Sequence, residues 1–183
     1  KISTIELNRV QYDLVGRIFE IINTAGKKLD LFDLMNNRMN AHKIKLRQLW
    51  DSAQKKYPKI TDYNKKMKTE IPRYIMESIS LSYSLGKSCK RGDILDMFST
   101  MKKEENWTPD KFTGMWNEIL VCTNDTIKIL EDNQKGFGVP APQFLPYEPM
   151  FPVLTSLIQQ IKNNFKDKQI SCDEKLRKWY WIS

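Results

Sequence analysis

The sequence predicts a mainly α-helical, multi-helix domain with one short β-strand at its N-terminal end, and three observations carry that reading. Apolar residues recur at three- and four-residue spacing along most of the 183 residues. Helix punctuation is frequent, in the form of Asp, Ser and Thr caps with prolines just inside predicted helix starts. Apolar residues alternating with polar ones, the mark of a strand, open the chain in "KISTIEL" at residues 1–7.

Taken in order, Ile2, Ile5 and Leu7 make the predicted strand. Leu14, Val15, Ile18, Phe19 and Ile22 then place a helix from Gln11 to about Asn23, which "NTAG" stops because Gly26 adopts positive φ without a Cβ penalty. Asp30 and Asp33 have the spacing of an N-cap and a third helical residue, and Leu31, Leu34 and Met35 begin the next apolar face. "HKIKLRQLWDSAQKKY" reads as a helix broken by Pro58. A further face runs through Met67, Ile71, Tyr74, Ile75, Ser78, Ile79 and Ser82, with Pro72 at a kink or a start. "DILDMFSTM" follows Gly92. Thr108 as N-cap and Pro109 at the first helical position open a long helix to about Asn133, with Trp116 on its apolar face. Trp107, Trp116 and the methionines read as core.

Residues 133–152 hold five of the eight prolines and two glycines, yet Phe137, Phe144, Leu145, Tyr147 and Phe151 are too apolar for a free linker, so an ordered loop packed on the helices is expected. "VLTSLIQQIKNNF" is the next helix, and a Ser171-x-x-Glu174 capping box opens the last, which ends in Trp179, Tyr180, Trp181 and Ile182.

Composition excludes several classes. With 40% hydrophobic and 11% aromatic residues the chain carries too much apolar surface for a disordered tail. No apolar run reaches the roughly 18–20 residues of a membrane span, and no signal-peptide core opens the chain, so no membrane partner is expected. Cys89, Cys122 and Cys172 are odd in number and far apart, which argues against a disulfide framework and fits a reducing cytoplasm. His42 is the only histidine and sits in a predicted basic helix, so neither a His-based metal cluster nor a Ser-His-Asp triad is expected; no metal-binding or catalytic residue is assigned. No phosphate-binding glycine loop of either common type occurs. The pairs Asp93/Asp96 and Glu104/Glu105 read as helix-start and turn carboxylates.

Two stretches have binding readings. The net charge of +8 is concentrated: residues 43–68 hold Lys43, Lys45, Arg47, Lys55, Lys56, Lys59, Lys65, Lys66 and Lys68 against Asp51 and Asp62. Such a focus attracts polyanions and fits contact with a DNA backbone; a solvated helical face accounts for the same residues. In "INTAGKKLD", Asn23, Thr24, Gly26 and Lys27, with Lys28 beside them, have the donors to cradle a nucleotide phosphate ahead of a helix N-terminus, and a simple helix-loop-helix turn has them too.

"IFEIINTAGKKLDLFDL" resembles the F-x-x-[IL]-N-x-x-G-x-x-L-x-x-F-[DE]-L signature of the N-terminal domain family of GmrSD-type restriction endonucleases, through Phe19, Asn23, Gly26, Leu29, Phe32, Asp33 and Leu34. "FLPYEPMFPVL" and "KLRKWYW" resemble that family's Leu-Pro-Tyr and basic-Trp-Tyr-Trp segments, in the same order. The resemblance implies a bacterial phage-defence protein that recognises modified DNA. Its N-terminal part would be similar to the ParB/sulfiredoxin fold and would carry an Asp-Gly-Gln-Gln-Arg motif for nucleotide hydrolysis; a helical region and often a His-Asn-His-type nuclease would follow. Neither catalytic centre is in this sequence. The expected arrangement is therefore an excised middle: residues 1–29 the end of a ParB/sulfiredoxin-like nucleotide domain, with strand, helix and Asn-Gly turn, and residues 30–183 the helical domain. A nucleoside triphosphate and a divalent metal are implied for the intact protein, with DNA as partner. The rival reading is a helical protein–protein adaptor that uses loop 133–152 and the aromatic C-terminus.

Overall fold

A computed structural model describes residues 30–182. The expected strand, first helix and Asn23–Gly26 turn lie outside the described residues. Within them the protein is mainly α-helical, with eight α-helices and no strand. The chain divides into two compact units, Lys1–Leu49 and Trp50–Ser183.

In the first unit, Asp30 caps α1 (Leu31–Asn40), its carboxylate accepting from the Leu31 amide at 2.7 Å. Leu31, Phe32, Leu34, Met35 and Met39 are buried, as the apolar spacing requires. The helix closes with the Ile44 amide bonding back to the Met39 carbonyl at 3.1 Å, which puts Lys43 at φ 64°, a position glycine usually fills. His42 lies in this turn and not in a helix. The second helix, α2 (Leu46–Lys56), begins after it. Asp33, expected to serve free amides of its own helix, instead accepts from Arg47 at 2.6 Å, while Asn36 Oδ1 takes the Arg47 amide at 3.2 Å.

In the second unit, Pro58 follows the end of α2 at Lys56, as expected, and itself occupies the first turn of a new helix, α3 (Pro58–Lys66), where its missing N–H is harmless. Met67 therefore caps α3 and does not line the next face. The fourth helix, α4 (Ile71–Tyr83), starts at Ile71, with Pro72 in its first turn and Asn64 Oδ1 accepting the Ile71 amide at 2.6 Å. It is followed by α5 (Arg91–Met101), α6 (Pro109–Glu131), α7 (Met150–Asn164) and α8 (Gln169–Ile182). Thr108 Oγ1 caps α6 by accepting the Lys111 amide at 3.1 Å, and its 23 residues make a rod of about 34 Å. Ser171 and Glu174 fall inside α8 and not at its start, because the 3-10 turn Lys166–Lys168 runs straight into the helix.

Helices α4, α6 and α7 pack on one another, with α3 against α6, α5 against α4 and α8 against α7. Their core includes Ile75, Ile79, Trp116, Leu120, Ile127, Phe151, Leu154 and Ile158. Small hydroxyl residues meet between these helices. Ser78 Oγ donates to its own Tyr74 carbonyl at 2.8 Å and lies 3.2 Å from the Pro152 carbonyl of α7, and Thr126 and Thr155 meet at 3.1 Å between α6 and α7. Trp116 is fully buried as expected; Trp107 is only half-buried and sets its edge to Phe98 at 6.0 Å. Among the described residues no helix is long and apolar enough to cross a membrane.

Candidate functional site

The basic window is shared between the two units. Lys43, Lys45 and Arg47 belong to the first, and the Arg47 guanidinium is engaged by Asp33. Lys55, Lys56, Lys59, Lys65, Lys66 and Lys68 belong to the second, and every one of them is exposed. Local structure explains part of the pattern: Lys55 and Lys56 end α2, and Lys65 and Lys66 end α3, where cations complement the helix dipole. Lys59 pairs with Glu131 at 2.8 Å and Lys66 with Asp62 at 3.0 Å, while the Lys56 ammonium sits 5.4 Å from the centre of the Tyr57 ring. Lys55, Lys65 and Lys68 have no carboxylate partner among the described residues. With Lys43 and Lys45, which are likewise exposed, these three lysines are the cations of the window open to an outside anion.

The loop from Asp132 to Pro149 is anchored at both ends. At the first, it folds back over the C-terminus of α6: the amides of Phe137, Gly138 and Val139 donate to the carbonyls of Ile129, Asp132 and Leu130 at 2.9, 3.0 and 2.7 Å. These bonds satisfy carbonyls that a helix end leaves open. The Asp132 carboxylate accepts from the Lys135 and Gln134 amides, which hold its carboxyl below the usual range. Phe137 stacks on Tyr180 of α8 at 4.4 Å, and the Arg177 guanidinium donates to the Lys135 carbonyl. A cleft of about 220 Å³ opens beside this cap, lined by Lys128, Ile129, Lys135, Phe137, Asp173 and Leu176 among others.

At its other end the loop packs on the lysine-bearing elements. The 3-10 turn Pro142–Phe144 lies against α3, Glu148 accepts the Lys68 amide at 3.2 Å and the Tyr74 hydroxyl at 3.3 Å, and Phe151 stacks on Tyr63 at 5.9 Å. Phe137, Leu145 and Phe151 are buried, as expected of a packed loop. Phe144 and Tyr147 depart from that expectation, being 62% and 61% exposed. The sequence holds no signal for this: residue type marks an aromatic ring as apolar, and only the local path of the loop decides which side it faces.

The remaining chemistry of the described residues is structural in character. Tyr83 donates to Glu104 at 2.6 Å and Lys111 joins at 2.9 Å, so Glu104 is a crosslink between segments, and Asp93 accepts from Ser88 at 2.5 Å. Burial pushes the Cys122 thiol up to about 11. No group of three or more His, Cys, Asp or Glu residues able to hold a metal occurs among the described residues. Asn23, Thr24, Gly26 and Lys27, the expected phosphate cradle, lie outside them. No protein-family model, curated protein or solved structure matches the chain.

Proposed function

We propose that residues 30–183 form the DNA-engaging helical domain of a modification-dependent restriction protein, non-catalytic by itself, which couples nucleotide binding and hydrolysis in the intact protein to DNA engagement. The observation that carries the DNA part is the set of exposed lysines Lys55, Lys65 and Lys68, at the ends of α2 and α3 and just beyond, which have no carboxylate partner among the described residues. Lysine serves this role as a point charge that meets phosphates without reading bases. The restriction and nucleotide parts are supported by the three ordered sequence segments alone, and Asn23, Thr24, Gly26 and Lys27 would hold the nucleotide phosphate.

The test is a salt titration of duplex binding. Every phosphate left without its lysine flattens the dependence of log K on log salt by about 0.9, so replacing Lys55, Lys65 and Lys68 with Gln is expected to reduce the slope by about 2.7. An unchanged affinity and slope would remove these lysines from the interface. The adaptor reading has its own observation, the exposure of Trp181 and Ile182 at 62% and 84%. It requires partner binding that is insensitive to salt.

A further inference from the structure

Two aromatic rings stand in solvent on a loop that packs against the elements bearing Lys65 and Lys68, and that loop is built to keep them there. In "PQFLPY", Pro142 and Leu145 turn inward and are buried while Phe144 and Tyr147 are left out. Prolines at 140, 142, 146 and 149 restrict the backbone on both sides, and the Glu148 carboxylate fixes the segment to Lys68 and Tyr74. The rings are thereby held out at little further entropic cost to a ligand that covers them.

The charges around them select that ligand. Phe144 sits in the turn against α3, which ends in Lys65 and Lys66, and Tyr147 precedes the residue that receives the Lys68 amide. Of the acidic groups nearby, Asp62 is paired with Lys66 and Glu131 with Lys59; Glu148 accepts from the Lys68 backbone amide and the Tyr74 hydroxyl and keeps its charge, and Glu70 is exposed at the start of α4. Phosphates suit the ammonium groups and flat π-faces suit the rings. A duplex offers only the first, because its base faces are stacked on each other. An unpaired strand offers both.

We infer that Phe144 and Tyr147, with Lys65 and Lys68, form a stacking platform for single-stranded DNA. This rests on the lysine reading above and adds to it the class of DNA bound: a segment whose bases are unpaired.

Fluorescence anisotropy with a labelled 20-nucleotide oligo-dT, a duplex of equal length and a 20-nucleotide oligo-U tests it on three proteins: the unaltered chain, Phe144→Ala/Tyr147→Ala, and Lys55→Gln/Lys65→Gln/Lys68→Gln. Loss of stacking is worth about fivefold or more per ring, so the aromatic variant is expected to lose about 25-fold or more on oligo-dT and to keep its duplex affinity within about twofold. Phe144→Tyr/Tyr147→Phe, which retains both rings, is expected to bind oligo-dT as the unaltered chain does. Because both side chains are exposed, the melting temperature should not move. If the lysine variant weakens both DNA forms while the aromatic variant weakens neither, the platform is refuted and the lysine reading stands. If the lysine variant weakens neither, both fall. Tighter binding of oligo-U than of oligo-dT, or no oligo-dT binding by the unaltered chain at low salt, also overturns the inference.

Discussion

Gly136 is the residue on which the anchoring of the loop to α6 depends most directly. A Cβ there would stand 2.0 Å from the Ile129 carbonyl oxygen and 2.6 Å from that of Asp132, both backbone atoms at the helix end with no flexible side chain to yield. Gly136→Ala therefore forces the loop away from the carbonyls it caps. Three backbone hydrogen bonds are at stake, those of the Phe137, Gly138 and Val139 amides, at about 1 kcal/mol net each. Phe137, 4% exposed and stacked on Tyr180, would lose part of its burial as well. Partial relaxation offsets some of this, so the expected cost is about 2–4 kcal/mol, or a fall in Tm of about 6–12 °C at about 3 °C per kcal/mol for a domain of this size. Gly114, inside α6 and with nothing within 4 Å of its Cβ position, is the matched control: Gly114→Ala is expected to stabilise by about 0.5–1 kcal/mol. Differential scanning calorimetry of both variants reads the contrast. A Gly136→Ala protein that melts within about 2 °C of the unaltered chain would show that the cap is not held by backbone proximity.

Two further outcomes follow from the ionisable groups. Cys122 is 2% exposed and its thiol is pushed to about 11, so at pH 8 only about one molecule in a thousand carries the thiolate; iodoacetamide is expected to modify half-buried Cys89 and Cys172 in the native protein and Cys122 only after denaturation, as mass spectrometry would show, and equally fast modification of all three would contradict its placement. Glu104 is held below its usual range by Tyr83 and then Lys111, and Asp132 by the Lys135 and Gln134 amides; Asp125 is raised by burial, but the Lys162 and Lys128 ammonium groups outweigh this and lower it. Depressed carboxyls stabilise the fold above their ordinary values near 4, and that contribution is lost as pH falls through the folded values. Tyr74, raised to about 12 chiefly by burial, and Tyr83, raised to about 12 by its bond to Glu104, act in the opposite sense, with stability lost as pH rises from about 10 towards 12. Urea midpoints across pH 2–12 should thus fall at both ends, and a midpoint that is flat below pH 4 would count against the carboxyl pairs.

Helices are legible in the sequence wherever the signal is chemical and local. The Thr108 hydroxyl and Pro109 ring dictate the start of α6 without help from the rest of the fold, and the apolar positions from Phe112 to Leu130 match its buried face. Pro58 is more ambiguous: the same ring that cannot continue α2 is well suited to begin α3, and a tripeptide context does not tell an end from an adjacent start. Ser171 shows the reverse error, since a capping box has the right residues but the preceding turn has already begun the helix. At the candidate site, charge density is visible in the sequence while pairing is not. Arg47, Lys59 and Lys66 are engaged by carboxylates 14, 72 and 4 residues away, and only folding reveals the first two partners.

That distinction decides which lysines speak for a ligand. A lysine at a helix C-terminus also complements the dipole, so Lys55 and Lys65 serve the helix ends as well as any ligand. Lys68 is different: it lies beyond α3, in the connection to α4, where no helix end needs its charge, and its amide is the point at which Glu148 fastens the aromatic loop. The Glu148 carboxylate therefore ties the Lys68 backbone, and the Tyr74 hydroxyl of α4, to the residue that follows Tyr147. If charge alone explained the surface, there would be no reason for a proline-stiffened loop to hold Phe144 and Tyr147 in water next to it. If exposed apolar area alone explained it, the cluster of lysines on the neighbouring elements would work against a protein partner's desolvation. The two features together are what a ligand with both phosphates and open base faces requires.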